Sequence, residues 1–125
     1  MLKSLKNIPS TPLQAGKGAS MQMLISPTEA PTFAMRKFII QKGGHMPFHT
    51  NEVEHEQYVL SGKARVRLAD ESFVAQKDDI IFVPAGVAHS YHVIGDEDYE
   101  FLCLVPNKED TIEIIATGNQ CGCSC

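Results

Sequence analysis

Apolar and polar residues alternate along this chain in short runs, and residues that favour turns separate the runs. Between positions 63 and 68, for example, Val66 and Leu68 alternate with Arg65 and Arg67, which is the period of a half-buried strand. No segment of ten or more residues carries the apolar stripe of an amphipathic helix. We therefore predict an all-β fold, a sandwich or barrel of the jelly-roll type. The runs predict strands at 21–25, 33–41, 56–60, 63–68, 73–76, 79–83, 90–94, 99–105 and 111–116.

The two ends of the chain differ from this central part. Residues 1–20 carry prolines and glycines with few large apolar side chains, which predicts an extended arm along a sheet edge or a partner subunit. Residues 118–125 are predicted to form a flexible tail. The tail holds three cysteines at alternate positions, Cys121, Cys123 and Cys125. Cysteines at this spacing cannot easily form a disulfide with their nearest neighbour in the tail. The tail is either functionally silent or a set of thiols for a soft metal. A single domain at 21–117 lies between arm and tail.

Composition and charge narrow the classes of partner. The chain has 125 residues, enough for one hydrophobic core and too few for two. Its formal net charge is −4 and its basic residues are scattered, so nothing favours nucleic acid. No apolar run approaches the roughly 20 residues of a membrane helix, and the N-terminus lacks a signal-peptide pattern. We therefore predict a cytoplasmic protein whose partner is a small molecule.

The histidines carry the candidate chemistry, since all five lie between positions 45 and 92. His49, Asn51 and His55 are separated by even numbers of residues, so on an extended chain they point to one face. The glutamates at positions 52, 54 and 56 then face solvent. Further along, an apolar run ends in a Pro-Ala-Gly turn, and His89 opens the next strand. This geometry could return His89 toward the first group, although the pattern alone does not place the two together.

The spacing of these residues resembles the two motifs of the cupin family. The run Gly43-x5-His49-x-Asn51-x3-His55-x6-Gly62 resembles the first cupin motif, G-x5-H-x-H-x3-E-x6-G. Residues 78–93 match the spacing of the second motif, G-x5-P-x-G-x2-H-x3-N, with Asp78 in place of its glycine and Val93 in place of its asparagine. The resemblance covers about residues 33–106. It implies a single jelly-roll β-barrel with an extended N-terminal arm.

The resemblance also implies a metal site. Within the cupins the chain is similar to small members with H-x-H-x3-H, which hold a metal through four histidines. Carried over by position, His49, His55 and His89 become ligands of one divalent metal ion per chain. Asn51 stands where the second histidine is expected, and its amide oxygen is a weaker donor, so it either ligates, supports a ligand or leaves a position open. The metal could be Fe, Mn, Ni, Zn or Cu, since imidazole suits all five.

Apolar walls with a few polar groups are typical of a small-ligand pocket. We predict that this pocket is lined by His45, Phe48, Tyr58 and Tyr91. Each aromatic residue would also fit a plain hydrophobic core.

Three functions remain open at this point. The first is a metal-dependent oxidoreductase of dioxygenase type that acts on a small organic acid, phenol or ketone. The second is a metal-assisted isomerase, lyase or decarboxylase, in which Tyr58, Tyr91 or His45 moves a proton. The third is a non-catalytic module that binds or senses a small molecule or the metal. The resemblance also implies a homodimer.

Overall fold

The computed structural model describes residues 1–115. Within them the chain forms ten strands and one short 3-10 helix, Leu5–Asn7, so the fold is all-β. Every run that was predicted as a strand overlaps one of the observed strands. The strands are β1 (Thr11–Pro12), β2 (Lys17–Ile25), β3 (Phe33–Thr50), β4 (His55–Ser61), β5 (Lys63–Leu68), β6 (Glu71–Gln76), β7 (Ile80–Val83), β8 (His89–Ile94), β9 (Tyr99–Pro106) and β10 (Glu113–Ile114).

The strands form one curled antiparallel sheet, the jelly-roll arrangement that the sequence predicts. Hydrogen-bonded neighbours follow the order β6-β5-β8-β3-β9-β4-β7, and β2 and β10 also pair with β3. The first half of β3 pairs with β2 and β9, and its second half pairs with β8 and β10. This long strand therefore connects the two halves of the barrel and carries residues of the candidate site near its end.

One face of the curled sheet packs into the core. Along β9, for example, Tyr99, Phe101 and Cys103 are buried, whereas the alternate residues are only half-buried. Phe101 stacks on Phe38 of β3 with ring centroids 5.3 Å apart. Burial of such large apolar side chains stabilises the barrel by about 1.5–3 kcal/mol for each side chain. We refer to this face as the barrel interior.

Backbone conformation explains two of the motif positions. Gly62 has a φ of +79°, and a Cβ atom there would collide with the carbonyl oxygen of Asp98. Only glycine satisfies both conditions without strain. Asp78, which replaces a motif glycine, also adopts a positive φ of 71°. Aspartate tolerates this conformation better than most residues, and here its carboxylate accepts a hydrogen bond from the Tyr58 hydroxyl.

At the N-terminus, part of the predicted arm belongs to the sheet. β1 pairs with β2, and β2 begins at Lys17, before the domain boundary that was predicted at position 21. Lys3 is held by an ion pair with Glu29 at 2.7 Å. The predicted tail, 118–125, lies outside the described residues. Among the residues that are described, no helix is long and apolar enough to cross a membrane.

Candidate metal centre

Three strands bring three buried histidines together in the barrel interior. His49 lies near the end of β3, His89 begins β8, and the two are direct partners in the β3–β8 pairing. Their ring centroids are 4.2 Å apart. His55 begins β4, and its ring lies 5.7 Å from that of His89. The three side chains are 4%, 6% and 1% exposed for His49, His55 and His89. The fold thus unites the two histidine groups that sequence pattern alone could not connect.

Backbone carbonyl groups orient two of the three imidazoles. His49 Nδ1 lies 2.7 Å from the carbonyl oxygen of Pro47, and His89 Nδ1 lies 3.0 Å from that of Val87. A carbonyl oxygen only accepts hydrogen bonds, so Nδ1 carries the proton in both rings and Nε2 keeps its lone pair. His55 Nε2 is buried and has no hydrogen-bond partner within residues 1–115. Such anchoring through the second ring nitrogen is typical of histidines that ligate metals.

All three imidazoles are held in the neutral state. Burial lowers the pKa of His55 to about 3, with a further contribution from the positive charge of Arg36. Burial lowers the pKa of His89 to about 4, and it also lowers the pKa of His49. A metal binds neutral imidazole, so no proton has to be displaced from these rings near neutral pH.

Asn51 follows the end of β3 in a loop that is fixed by Asp110. The amide nitrogen Nδ2 of Asn51 donates to the Asp110 carboxylate at 3.1 Å. The same carboxylate accepts hydrogen bonds from the backbone nitrogens of Glu52 at 2.7 Å and Val53 at 3.3 Å. Because Asp110 accepts from Nδ2, the amide oxygen Oδ1 of Asn51 is left buried without a partner in the described structure. An unpaired buried acceptor of this kind costs about 1–3 kcal/mol.

This donor set fits a divalent metal in its chemistry. Three neutral imidazoles and one amide oxygen suit a borderline metal ion, and two of the four donor atoms are orphaned and buried. Within residues 1–115, however, no three His, Cys, Asp or Glu side chains are already arranged as a metal-binding group.

Tyr91 is the one predicted pocket residue that lies with the histidines. It is buried on β8, and its ring meets that of His89 edge-on at 5.7 Å. Its hydroxyl accepts a hydrogen bond of 2.7 Å from Gln57 Nε2. Burial raises the pKa of Tyr91 far above its usual range, so the hydroxyl stays protonated. It can donate a hydrogen bond, but it gives up its proton poorly.

The other three predicted pocket residues lie outside the barrel interior. His45 pairs with the exposed His92 and stacks on it at 5.2 Å, on the face opposite to Met46 and Tyr91. A register shift between Met46 and His49 explains this, because a bulge reverses the face that even spacing predicts. The ring of Phe48 lies under the guanidinium of the exposed Arg67.

Tyr58 departs from the prediction for a simpler reason. It alternates with the buried Gln57 and Val59 along β4, so it faces outward and is 40% exposed. Two residues that the sequence analysis did not select support the site: Gln57 and Asp110. The even spacing between His55 and Gln57 on one strand was a signal for the first of these, whereas nothing in the sequence indicated Asp110.

Comparison with known proteins identifies the family. The cupin domain family matches residues 36–105, more than half of the chain, and the chain therefore belongs to the cupins. A search among curated proteins found no match.

Solved structures agree in fold. The polyketide cyclase RemF from Streptomyces resistomycificus is similar over 95% of this chain and 89% of its own, with 23% identity and a TM-score of 0.84. A predicted oxalate decarboxylase from Thermotoga maritima is similar over 85% and 98%, with 23% identity and a TM-score of 0.75. KdgF from a Halomonas species is similar over 85% and 94%, with 15% identity and a TM-score of 0.74. At these identities the likeness shows the fold.

Proposed function

We propose that this cupin is a metal-dependent enzyme that acts on a small organic molecule, with His49, His55 and His89 as metal ligands. The observation that carries the proposal is the cluster of three buried, neutral imidazoles whose Nε2 atoms have no hydrogen-bond partner among residues 1–115. Burying three histidines costs stability at acidic pH and brings no packing advantage over apolar side chains. A metal that coordinates them would offset that cost.

Asn51 is proposed as the fourth ligand of the site, because its amide oxygen, like His55 Nε2, is buried without a hydrogen-bond partner in the described structure. The hydrogen bond from Nδ2 to the Asp110 carboxylate fixes the orientation of the Asn51 amide, because a carboxylate accepts hydrogen bonds and Nδ2 is the donor. The amide oxygen Oδ1 therefore remains available as a ligand. An amide oxygen is a weak ligand that a substrate or water molecule can displace. The site would thereby keep one position available for chemistry, which a fourth histidine would not.

Two reactions suit such a site, and its residues favour them for different reasons. A redox-active metal would supply dioxygen chemistry, and any divalent metal would supply Lewis acidity toward a substrate oxygen. The dioxygenase reaction suits the apolar interior around Phe101 and Tyr91, which excludes water from a reactive intermediate. A non-redox lyase, cyclase or decarboxylase suits the Tyr91 hydroxyl, which can donate a hydrogen bond to a substrate oxygen beside His89. The polyketide cyclase and the predicted oxalate decarboxylase among the similar structures support this second reaction as a candidate.

The proposal is tested first by metal titration of the metal-free protein under calorimetry. We expect saturable binding of at least one of Mn(II), Fe(II), Ni(II), Cu(II) and Zn(II), which His55→Gln abolishes. His92→Gln is the matched control, because His92 is exposed on the outer face and should leave binding intact. A chain truncated after Gln120 separates the site from the cysteines. Equal binding by His55→Gln and the wild type would contradict the proposal.

Oxygen uptake then separates the two reactions. Turnover of a substrate with stoichiometric loss of dissolved oxygen would identify the dioxygenase. Metal-dependent turnover that proceeds equally under nitrogen would identify the non-redox reaction. A metal-loaded protein that turns over no substrate in a broad screen of small acids, phenols and ketones would support the third function, a binding module.

A further inference from the structure

Arg36 lies in the barrel interior, beside the candidate metal site. On β3 it is the direct partner of Cys103 on β9, and Cys103 is in turn the partner of Gln57 on β4. Cross-strand partners share a face of the sheet, and both Cys103 and Gln57 are buried. Gln57 follows His55 by two residues on the same strand. The row that these residues form therefore runs next to the histidine cluster.

The positive charge of Arg36 has no counter-ion in the described structure. The ion pairs found among residues 1–115 are Lys3–Glu29 and Lys37–Glu100, and neither involves Arg36. Its guanidinium instead contacts Cys103 Sγ at 3.5 Å and lies 4.9 Å from the ring centre of Phe38. Its Nε atom is buried without a hydrogen-bond partner. Arginine does not lose its proton in proteins, so this part of the interior carries a permanent and uncompensated charge.

Tyr91 places a second hydrogen-bond donor in the same region. Gln57 Nε2 donates to the Tyr91 oxygen, so that the hydroxyl proton of Tyr91 has no acceptor among residues 1–115. The Tyr91 ring contacts that of His89 edge-on, with 5.7 Å between the centroids. Gln57 and Cys103 connect Tyr91 to Arg36 through direct contacts. Two hydrogen-bond donors, Arg36 Nε and the Tyr91 hydroxyl, thus lie in this part of the interior without an acceptor among residues 1–115.

We propose that Arg36 and Tyr91 form a binding subsite for a carboxylate group, so that the substrate of this cupin is a small organic acid. This names the substrate class of the proposed enzyme and rests on that function, although the binding of the anion itself requires no metal. The planar guanidinium presents Nε and a neighbouring nitrogen side by side, which matches the two oxygens of a carboxylate. The Tyr91 hydroxyl supplies the third hydrogen bond. One positive charge is balanced by one carboxylate, and the rest of the acid would lie against Phe38, which is only partly buried.

The test uses benzoate and its uncharged analogue benzamide as probes of metal-free protein. We expect saturable binding of benzoate in calorimetry and binding of benzamide that is weaker by about tenfold or more. Arg36→Gln should weaken benzoate binding by a similar factor, and Tyr91→Phe by a smaller one. Arg65→Gln is the matched control, because Arg65 is exposed on the outer face of β5. Equal affinity for the two probes, no binding of benzoate, or an unchanged affinity in Arg36→Gln would overturn the proposal.

A second measurement does not depend on whether the variants fold. In the wild type, the Nε–H resonance of Arg36 should shift on titration with benzoate and shift much less with benzamide at the same concentration. A resonance that does not respond to benzoate overturns the proposal. His55→Gln separates this failure from that of the proposed function. If the wild type binds no metal while benzoate binds both to the wild type and to His55→Gln, the enzyme proposal fails and the carboxylate subsite stands.

Discussion

The three buried histidines make the stability of the metal-free protein depend strongly on pH. The pKa of His55 is lowered to about 3 and that of His89 to about 4, whereas both titrate near 6.5 in the unfolded chain. The unfolded state therefore binds protons first as the pH falls below about 6.5. Stability that is present at neutral pH is lost progressively until the folded-state pKa values are reached. Between about pH 7.5 and about pH 5, each of the two groups should remove about 2 kcal/mol from the free energy of unfolding.

Urea unfolding of the metal-free protein at these two pH values measures the effect. Replacing His89 by glutamine should remove about 2 kcal/mol of the pH dependence. His45→Gln, on the outer face, should retain most of the dependence of the wild type, since it alters only the neighbouring His92. Glu56 changes the pH dependence of stability in the opposite direction, because burial and the neighbouring Glu54 raise its pKa to about 7. Glu56 is present in both the wild type and His89→Gln, so the difference between these two proteins isolates the contribution of His89. An identical pH dependence in the wild type and His89→Gln would refute the reasoning.

The remaining predictions concern the loop, the glycines and the assembly. Asp110→Ala should weaken metal binding by about 10- to 100-fold in calorimetry, because Asn51 and its loop lose the hydrogen bonds to this carboxylate. An unchanged affinity would show that Asp110 does not position the site. Gly62→Ala should destabilise the fold by more than about 2 kcal/mol, whereas Gly43→Ala, which shares the positive φ but has open space around it, should cost about 1 kcal/mol in urea unfolding. Equal losses in the two variants would mean that contact with Asp98 does not matter. Sedimentation at micromolar concentration should give a dimer, and a monomer would contradict the homodimer predicted from the resemblance.

Most of the fold was predictable because alternation along the strands records which face is buried. Along β5, the exposed Arg65 and Arg67 alternate with the buried Val66, as the sequence indicated. The length of β3 was not predictable, because Pro47 interrupts the strand pattern and a proline normally ends a strand. It is accommodated where the β3–β8 register shifts, so no ladder hydrogen bond from its nitrogen is required there.

The candidate site was predictable as far as the motif spacing extends. His49, His55 and His89 were selected together by resemblance, whereas the prediction that His45 lines the pocket did not anticipate the bulge between Met46 and His49. Asp110 lies 59 residues from Asn51 in the chain, and contacts at that distance leave no local pattern. The cytoplasmic location, the homodimer and the identity of the metal remain predictions.

The most direct test of the account is the metal content of the full chain, purified without a histidine tag or chelators. Elemental analysis should find about one divalent metal ion per chain in the wild type and almost none in His89→Gln, since a site with two imidazoles and an amide oxygen binds weakly. A wild-type protein that holds no metal, even after reconstitution with Fe(II), Mn(II), Ni(II), Cu(II) and Zn(II), would contradict it. Full metal content in His89→Gln would contradict it equally.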